Sequence, residues 1–320
     1  MGTTLSQVPV IFLSYDEPYA DAHYQRLLQQ VPSAKRVHGV KGFDAAHKAA
    51  ADAAGDCECF VTVDADNIVL DDFWMVYLDA RPQHWSKHTL SWRSFNVCNG
   101  LQYGNGGLKL WSTEFVRNMR THEAAPTKDG NAVVDFCWDS NYKQLRGVYS
   151  ITDFTRSAFH SWRAGYREGV KMPLRDGVPP PSPNMIKAHA HKNCLDRLTQ
   201  WAAVGRGQGY GAWAMMGAIM GLYDVHVTKA MPMSWIMDYD YMHTVWKEYW
   251  LWDSIDPVQD PFLDSKIRVH LDTYIKHIHE ETGLYLPVLG PVQGAHVRQW
   301  MTPTRATNPY EEDEWRLIHW

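Results

Sequence analysis

Two carboxylates one residue apart, Asp64 and Asp66, follow directly on the apolar run at residues 59–63, in the segment Val61-Thr62-Val63-Asp64-Ala65-Asp66-Asn67. Alternation along an extended chain puts both on one side, and a turn there can aim both at one ion. Hard oxygen donors of this kind suit Mg2+ or Mn2+. Such an ion bridges the two phosphates of a nucleoside diphosphate and stabilises it as a leaving group. A bare D-x-D is also a common capped turn, so its weight depends on what precedes it.

Other groups with chemical reach lie downstream. Between residues 156 and 175, Arg156, Arg163, Arg167, Lys171 and Arg175 stand against a lone Glu168, in a chain of formal net charge −5. Arg163, Arg167 and Lys171 repeat every four residues and so share one face of a helix. That stripe reads either as a grip on a diphosphate or a nucleic-acid backbone, or as a solvated helix face. His189-Ala190-His191 with Cys194 has a spacing that could also serve a structural Zn2+. Asp135 and Asp139 sit in apolar company, where a carboxylate is commonly a helix cap or an ion-pair partner.

The elements that must position these groups can be read from periodicity. Residues 8–14 (VPVIFLS) form a continuous apolar run, the mark of a strand buried on both faces. Residues 20–31 place Tyr24, Leu27, Leu28 and Val31 at helical spacing before Pro32. A weak strand at 36–40, an Ala-rich helix at 44–54 capped by Asp44 and stopped by Gly55, and the strand at 59–63 complete a βαβαβ start. In open α/β sheets ligands bind outside the carboxyl ends of the strands, so the tips after Leu13, Val40 and Val63 share one crevice with the D-x-D. Strands at 90–97 and 108–111 flank Gly104-Asn105-Gly106-Gly107, which reads as a hairpin turn. A Pro-rich stretch at 178–183 reads as a linker, and from 184 onward the pattern is helical and aromatic. The expected fold is α/β, a mixed Rossmann-like sheet flanked by helices, with a domain at 1–183 and a helical C-terminal region at 184–320.

Composition limits the remaining choices. At 320 residues with 45% hydrophobic and 21% charged residues, the chain can bury a core without staples. The 15 Trp are a surplus that either lines sugar and base sites or fills a large core. The acidic balance argues against a chain-wide nucleic-acid coat. Five Cys without a CxxC pair and no signal-like leader imply a reducing, cytoplasmic compartment, and no uncharged stretch reaches the roughly 20 apolar residues of a membrane span.

Residues 8–67, with strand 8–14, the segment 47–56, strand 60–63 and the D-x-D at Asp64 and Asp66, resemble the nucleotide-sugar-binding half of GT-A fold glycosyltransferases. The resemblance implies that Asp64 and Asp66 bind the metal, Mn2+ or Mg2+, and that Asp64 also serves the donor. It implies that Ser14, Tyr15 and Asp16 meet the nucleoside, with Lys48 nearby. Gly104 to Gly107 is similar to the glycine segment that lies against the transferred sugar, which makes Gly106 and Gly107 donor contacts. Inverting members place a catalytic carboxylate after that segment, so Asp135, with Asp139 second, becomes the base that takes the acceptor's proton. A further metal ligand, commonly His, points to His160, with His189 or His191 as rivals, and Arg163 joins the donor contacts.

The stretches 159–171 and 201–221 also look like tailed-phage glycosyltransferases, some of which modify DNA. That implies a UDP-sugar donor, a pentose such as arabinose or a hexose. It also implies 5-hydroxymethylcytosine in DNA, or a sugar on it, as acceptor, and the host cytoplasm as the location. Polysaccharide or protein acceptors fit an acidic chain equally. A sugar nucleotidyltransferase would want a Gly-rich basic loop where Tyr15-Asp16-Glu17-Pro18 stands, and a non-catalytic binding module would be marked by loss of the D-x-D carboxylates.

Overall fold

The computed structural model describes residues 3–78, 89–104, 107–120, 142–251 and 260–301. The strands in chain order are β1 (Thr3–Thr4), β2 (Val10–Ser14), β3 (Lys35–His38), β4 (Cys59–Asp64) and β5 (Asn67–Val69). They continue as β6 (Tyr77–Leu78), β7 (Thr89–Asn96), β8 (Gln102–Tyr103), β9 (Leu108–Ser112) and β10 (Tyr142–Thr152). The helices are α1 (Ala20–Gln30), α2 (Phe43–Ala54), α3 (Thr113–Asn118), α4 (Ala158–Lys171) and α5 (Ile186–His189). They are followed by α6 (Lys192–Ala203), α7 (Gly211–Leu222), α8 (Tyr239–Leu251), α9 (Ser265–Thr282) and α10 (Pro291–Met301).

The main sheet is mixed, in the order β3-β2-β4-β9-β7-β10-β5, with β8 on β7, and β1 and β6 form a separate ribbon. β2 pairs in parallel with β3 and β4, whereas β9 runs antiparallel to both β4 and β7. On β2, Val10 and Phe12 enter one apolar cluster while Ile11 and Leu13 enter the other, so both faces are covered as the continuous run predicts. α2 packs Ala50 and Ala51 against Ile11, Phe60 and Trp111, a close approach that small side chains allow. Its cap differs from the expectation: Gly42 holds the cap position at φ 96°, and Asp44 lies in the first turn, where its charge still complements the helix dipole.

Beyond the sheet, α4 and α7 cross at van der Waals contact. A Cβ on Gly165 or Gly169 would strike the carbonyl oxygens of Ala214 and Ala218, and one on Gly217 or Gly221 would strike those of Trp162 and Tyr166. Each helix thus presents two glycines four residues apart to the other's backbone. Every residue of α7 is buried. The apolar cluster around this crossing takes in Phe154, Phe159, Trp162 and Leu174 together with Ile186, Trp201, Trp213 and Leu284. The division at 183/184 is therefore not a division of the packing. The Pro-rich stretch passes over one continuous core, whose N-terminal members begin near Cys98.

The expected turn at Gly104–Gly107 is separate from the tight reversal at residues 97–100, between β7 and β8, where Gly100 N–H donates to Asn96 O (2.7 Å) and Asn96 N–H to Leu101 O (2.9 Å). Asn105 and Gly106 lie outside the described residues. Among the described residues no helix is long and apolar enough to cross a membrane.

Because no room exists for a methyl group at the crossing, Gly217→Ala is expected to cost about 3 kcal/mol or more. Urea denaturation reads this directly; a loss under about 0.5 kcal/mol would mean that the helices separate without penalty.

Candidate functional site

β4 delivers Asp64 to the carboxyl edge of the sheet, and the turn into β5 brings Asp66 beside it. Asp64 N–H donates to Gly107 O (2.8 Å), and Asp153 N–H donates to Asp66 O (2.8 Å), so β9 and the end of β10 hold the turn from two sides. Asn67 completes the clamp. Its Nδ2 donates to Asp66 Oδ1 (2.6 Å), while its Oδ1 accepts from Ser150 Oγ (2.9 Å) and Thr152 Oγ1 (3.4 Å). Thr152 Oγ1 in turn donates to Ser94 Oγ (2.7 Å). The Asp66 carboxylate is thus fixed by a buried polar network reaching three strands.

Electrostatically the pair is under-compensated. Burial raises the Asp64 carboxyl, against the Lys109 ammonium 3.8 Å away. Burial first, then repulsion from Asp64 and Glu17, pushes Asp66 up to about 7. Lys109 is itself buried, its ammonium 5.9 Å from the Phe43 ring centre and 5.6 Å from that of Trp111. Two adjacent carboxylates, both raised by burial and Asp66 further by Asp64, form a hard-oxygen donor set short of positive charge that could hold a divalent ion. Among the described residues no three His, Cys, Asp or Glu side chains gather as a metal-holding group. A two-carboxylate site suits Mg2+ or Mn2+ that takes its other oxygens from phosphates and water.

Both carboxylates open on a cavity of about 510 Å3. One end lies beyond β2, β3 and the start of α2 and is lined by Ser14, Tyr15, Val40, Phe43 and His47. Phe43 stacks on His47 with ring centres 4.0 Å apart. The other end lies between β8, the second half of α4 and α6, lined by Tyr103, Glu168, Lys171, Arg197 and Trp201.

The expected site residues separate into three groups. Ser14, Tyr15, Asp64, Asp66, His160 and Arg163 all line this cavity. Ser14 Oγ accepts from Arg36 Nε (2.8 Å) and pairs with His38 Nδ1 (2.9 Å), and Tyr15 OH donates to Asp240 Oδ1 (3.3 Å). Asp16, Lys48 and Gly107 do not line it. Asp16 turns to Arg163, which donates to it at 3.0 and 3.2 Å, and to His160 Nε2 at 3.4 Å. Burial works to raise the Asp16 carboxyl, but the His160 and Arg163 contacts outweigh it and hold it well below the usual carboxylate range. Lys48 is rotated off the cavity by one helical position, about 100°, and His47 takes that place. Gly107 faces the Asn67 carboxamide, which fills the space a Cβ would need, so its role is to admit the clamp. Gly106, Asp135 and Asp139 lie outside the described residues.

His160 does not join Asp64 and Asp66 in a three-ligand group; its Nδ1 shares a 2.6 Å hydrogen bond with Ser157 Oγ and its Nε2 faces Asp16. The rivals are engaged elsewhere, His189 donating to Val178 O (2.9 Å) and His191 lying 3.8 Å from Asp176. The basic stripe on α4 does share one face, and that face turns inward, so the solvated reading is overturned. Arg163 binds Asp16, Arg167 donates to Ile236 O, and Lys171 pairs with Glu168 at 2.7 Å. Tyr239 lies 4.2 Å from Arg163 and 5.1 Å from Arg167, ring centre to guanidinium. Sequence reasoning missed Lys109, although a single charge within the otherwise apolar run Leu108–Ser112 was a legible signal. It also missed Asn67, Glu168 and Arg197, whose partners are distant in sequence.

No family model and no curated protein matches this chain. Among solved structures the chain is similar to a glycosyltransferase involved in the glycosylation of the major capsid of PBCV-1. The identity is 12% and the TM-score 0.28, over 45% of this chain and 92% of that one. A likeness of that degree carries no argument about activity, and the site itself must do so.

The Asp66 shift has a direct consequence. A carboxyl whose folded pKa lies above its unfolded value, about 3.9, contributes stability that is complete below that value and lost as pH rises through about 7. At pH 8 without divalent cations, Asp66→Asn is therefore expected to be the more stable protein by on the order of 2 kcal/mol, discounted for water in the cavity. The gap should close below pH 4. A wild type more stable than the variant at pH 8 in EDTA would contradict the repulsion.

Proposed function

We propose that this chain is a metal-dependent glycosyltransferase that moves a pentose or hexose from a nucleotide-sugar donor, UDP-linked, to an acceptor hydroxyl. The observation that carries this reading is the under-compensated pair Asp64 and Asp66 at the carboxyl edge of the sheet, opening on a cavity with an aromatic slot at one end. Asp64 and Asp66 would hold a divalent ion, which would supply the positive charge that stabilises a departing diphosphate. Asn67, Ser150 and Thr152 fix Asp66 so that it does not reorganise as charge develops. Lys109 favours the ionised form of Asp64. The Phe43 and His47 rings and Tyr15 offer the flat walls that a nucleobase needs, and Arg163 braces the Tyr15–Pro18 loop against α4 through Asp16.

From the resemblance, Asp135 is proposed as the base that takes the acceptor proton, and 5-hydroxymethylcytosine in DNA, or a sugar on it, as the acceptor. The inward face of α4 lends its charges to a group inside the cavity and not to a backbone tracking the outer surface, which favours the polysaccharide or protein alternative relative to the sequence reading.

Turnover of UDP-sugars with Mn2+ tests the reading. Asp66→Ala is expected to lower it about a hundredfold or more with the fold intact by circular dichroism. Full turnover in that variant, or in EDTA, would remove the proposal. Asp135→Asn should depress transfer while leaving UDP affinity unchanged; equal loss of both would take the base role from it.

A further inference from the structure

The two ends of the cavity differ in charge. Around the D-x-D the carboxylates Glu17, Asp64, Asp66 and Asp240 outnumber the cationic groups of Lys41, Lys109 and Arg163, whereas at the far end Lys171 and Arg197 face a single carboxylate, Glu168. The ends are also separated. From His160, whose ring lies 6.2 Å from Tyr19 beside the D-x-D, to Lys171 is eleven residues along α4, roughly 16 Å at the helical rise.

At the far end Glu168 is fully engaged. Its Oε2 accepts from Tyr103 OH (2.6 Å) and its Oε1 from Lys171 Nζ (2.7 Å). Trp201 Nε1 donates to the same Tyr103 oxygen (2.9 Å), and Trp201 stacks on Phe154, so the wall is rigid. Arg197 stands apart from this network. Its guanidinium lies 4.8 Å from the Tyr103 ring centre, and among the described residues it makes neither an ion pair nor a hydrogen bond. It is half-buried on α6 and lines the cavity. A planar cation with five donors, held over an aromatic ring, is set up for bidentate recognition of an oxyanion.

We propose that this end, walled by Tyr103, Lys171, Arg197 and Trp201, is an acceptor subsite for a hydroxyl compound that carries a phosphate or carboxylate. The assignment of the compound as acceptor rests on the glycosyltransferase reading; the anion recognition stands on Arg197 alone. The donor's own diphosphate belongs with Asp64 and Asp66 at the other end, so the far cations answer to a second molecule.

Calorimetric titration with glucose 6-phosphate, glucuronate and glucose as probes tests this. UDP with Mn2+ is titrated separately into each protein. The wild type is expected to bind at least one charged sugar about tenfold or more tighter than glucose, with the preference falling as salt rises. Arg197→Gln should erase the preference and Arg197→Lys retain part of it. Which charged sugar wins separates phosphate from carboxylate. Equal affinity for charged and neutral sugars, or an intact preference in Arg197→Gln, would overturn the subsite. If UDP fails to bind while the preference persists, the anion site stands and its assignment to an acceptor falls.

Discussion

The backbone-to-backbone crossing of α4 and α7 sets the geometry on which the rest of the molecule depends. Four glycines let each helix sit against the other's carbonyl oxygens, which occupy the space a methyl group would need. One consequence is the deep burial of α7. Another is that α4, pinned by its glycine face, has no freedom to roll. Its opposite face, carrying His160, Arg163, Arg167, Glu168 and Lys171, must look into the cavity. Charged side chains so confined need partners, and Asp16, Ile236 O and the Glu168–Lys171 pair supply them.

Against this wall the sheet presents the other half of the site. Burying two carboxylates side by side is costly unless something offsets their repulsion. A polar network with Asn67 at its centre fixes Asp66, and one buried ammonium, Lys109, lies near Asp64. That imbalance is the basis of the proposed site for a divalent cation and a nucleoside diphosphate.

The first sixty-four residues were legible because their signals are local. Strand β2, helix α1, strand β3, helix α2 and strand β4 each carry a short-range period, and the D-x-D closes the series at the edge where topology places ligands. The spacing of Leu198, Trp201 and Ala202, and that of Trp213, Met216 and Met220, likewise marked α6 and α7. What stayed hidden depends on partners far along the chain. Asp16 looked like a nucleoside contact until Arg163, 147 residues away, claimed it. Gly107 looked like a sugar contact, but its missing Cβ makes room for Asn67. The boundary at 183/184 followed a real change of composition, yet apolar burial ignores composition and joins Phe154 to Trp201 across it.

The central claim is that Asp64 and Asp66 form a cation site completed by a nucleoside diphosphate. Its most direct measurement is the melting temperature of the wild type and of Asp64→Asn with UDP alone, Mn2+ alone, and both together, since a ligand of the native state raises it. The account predicts that in the wild type the rise with both exceeds the sum of the separate rises, and that Asp64→Asn loses this excess while still melting cooperatively without ligands. Equal rises with and without Mn2+, or an unchanged excess in the variant, would contradict it.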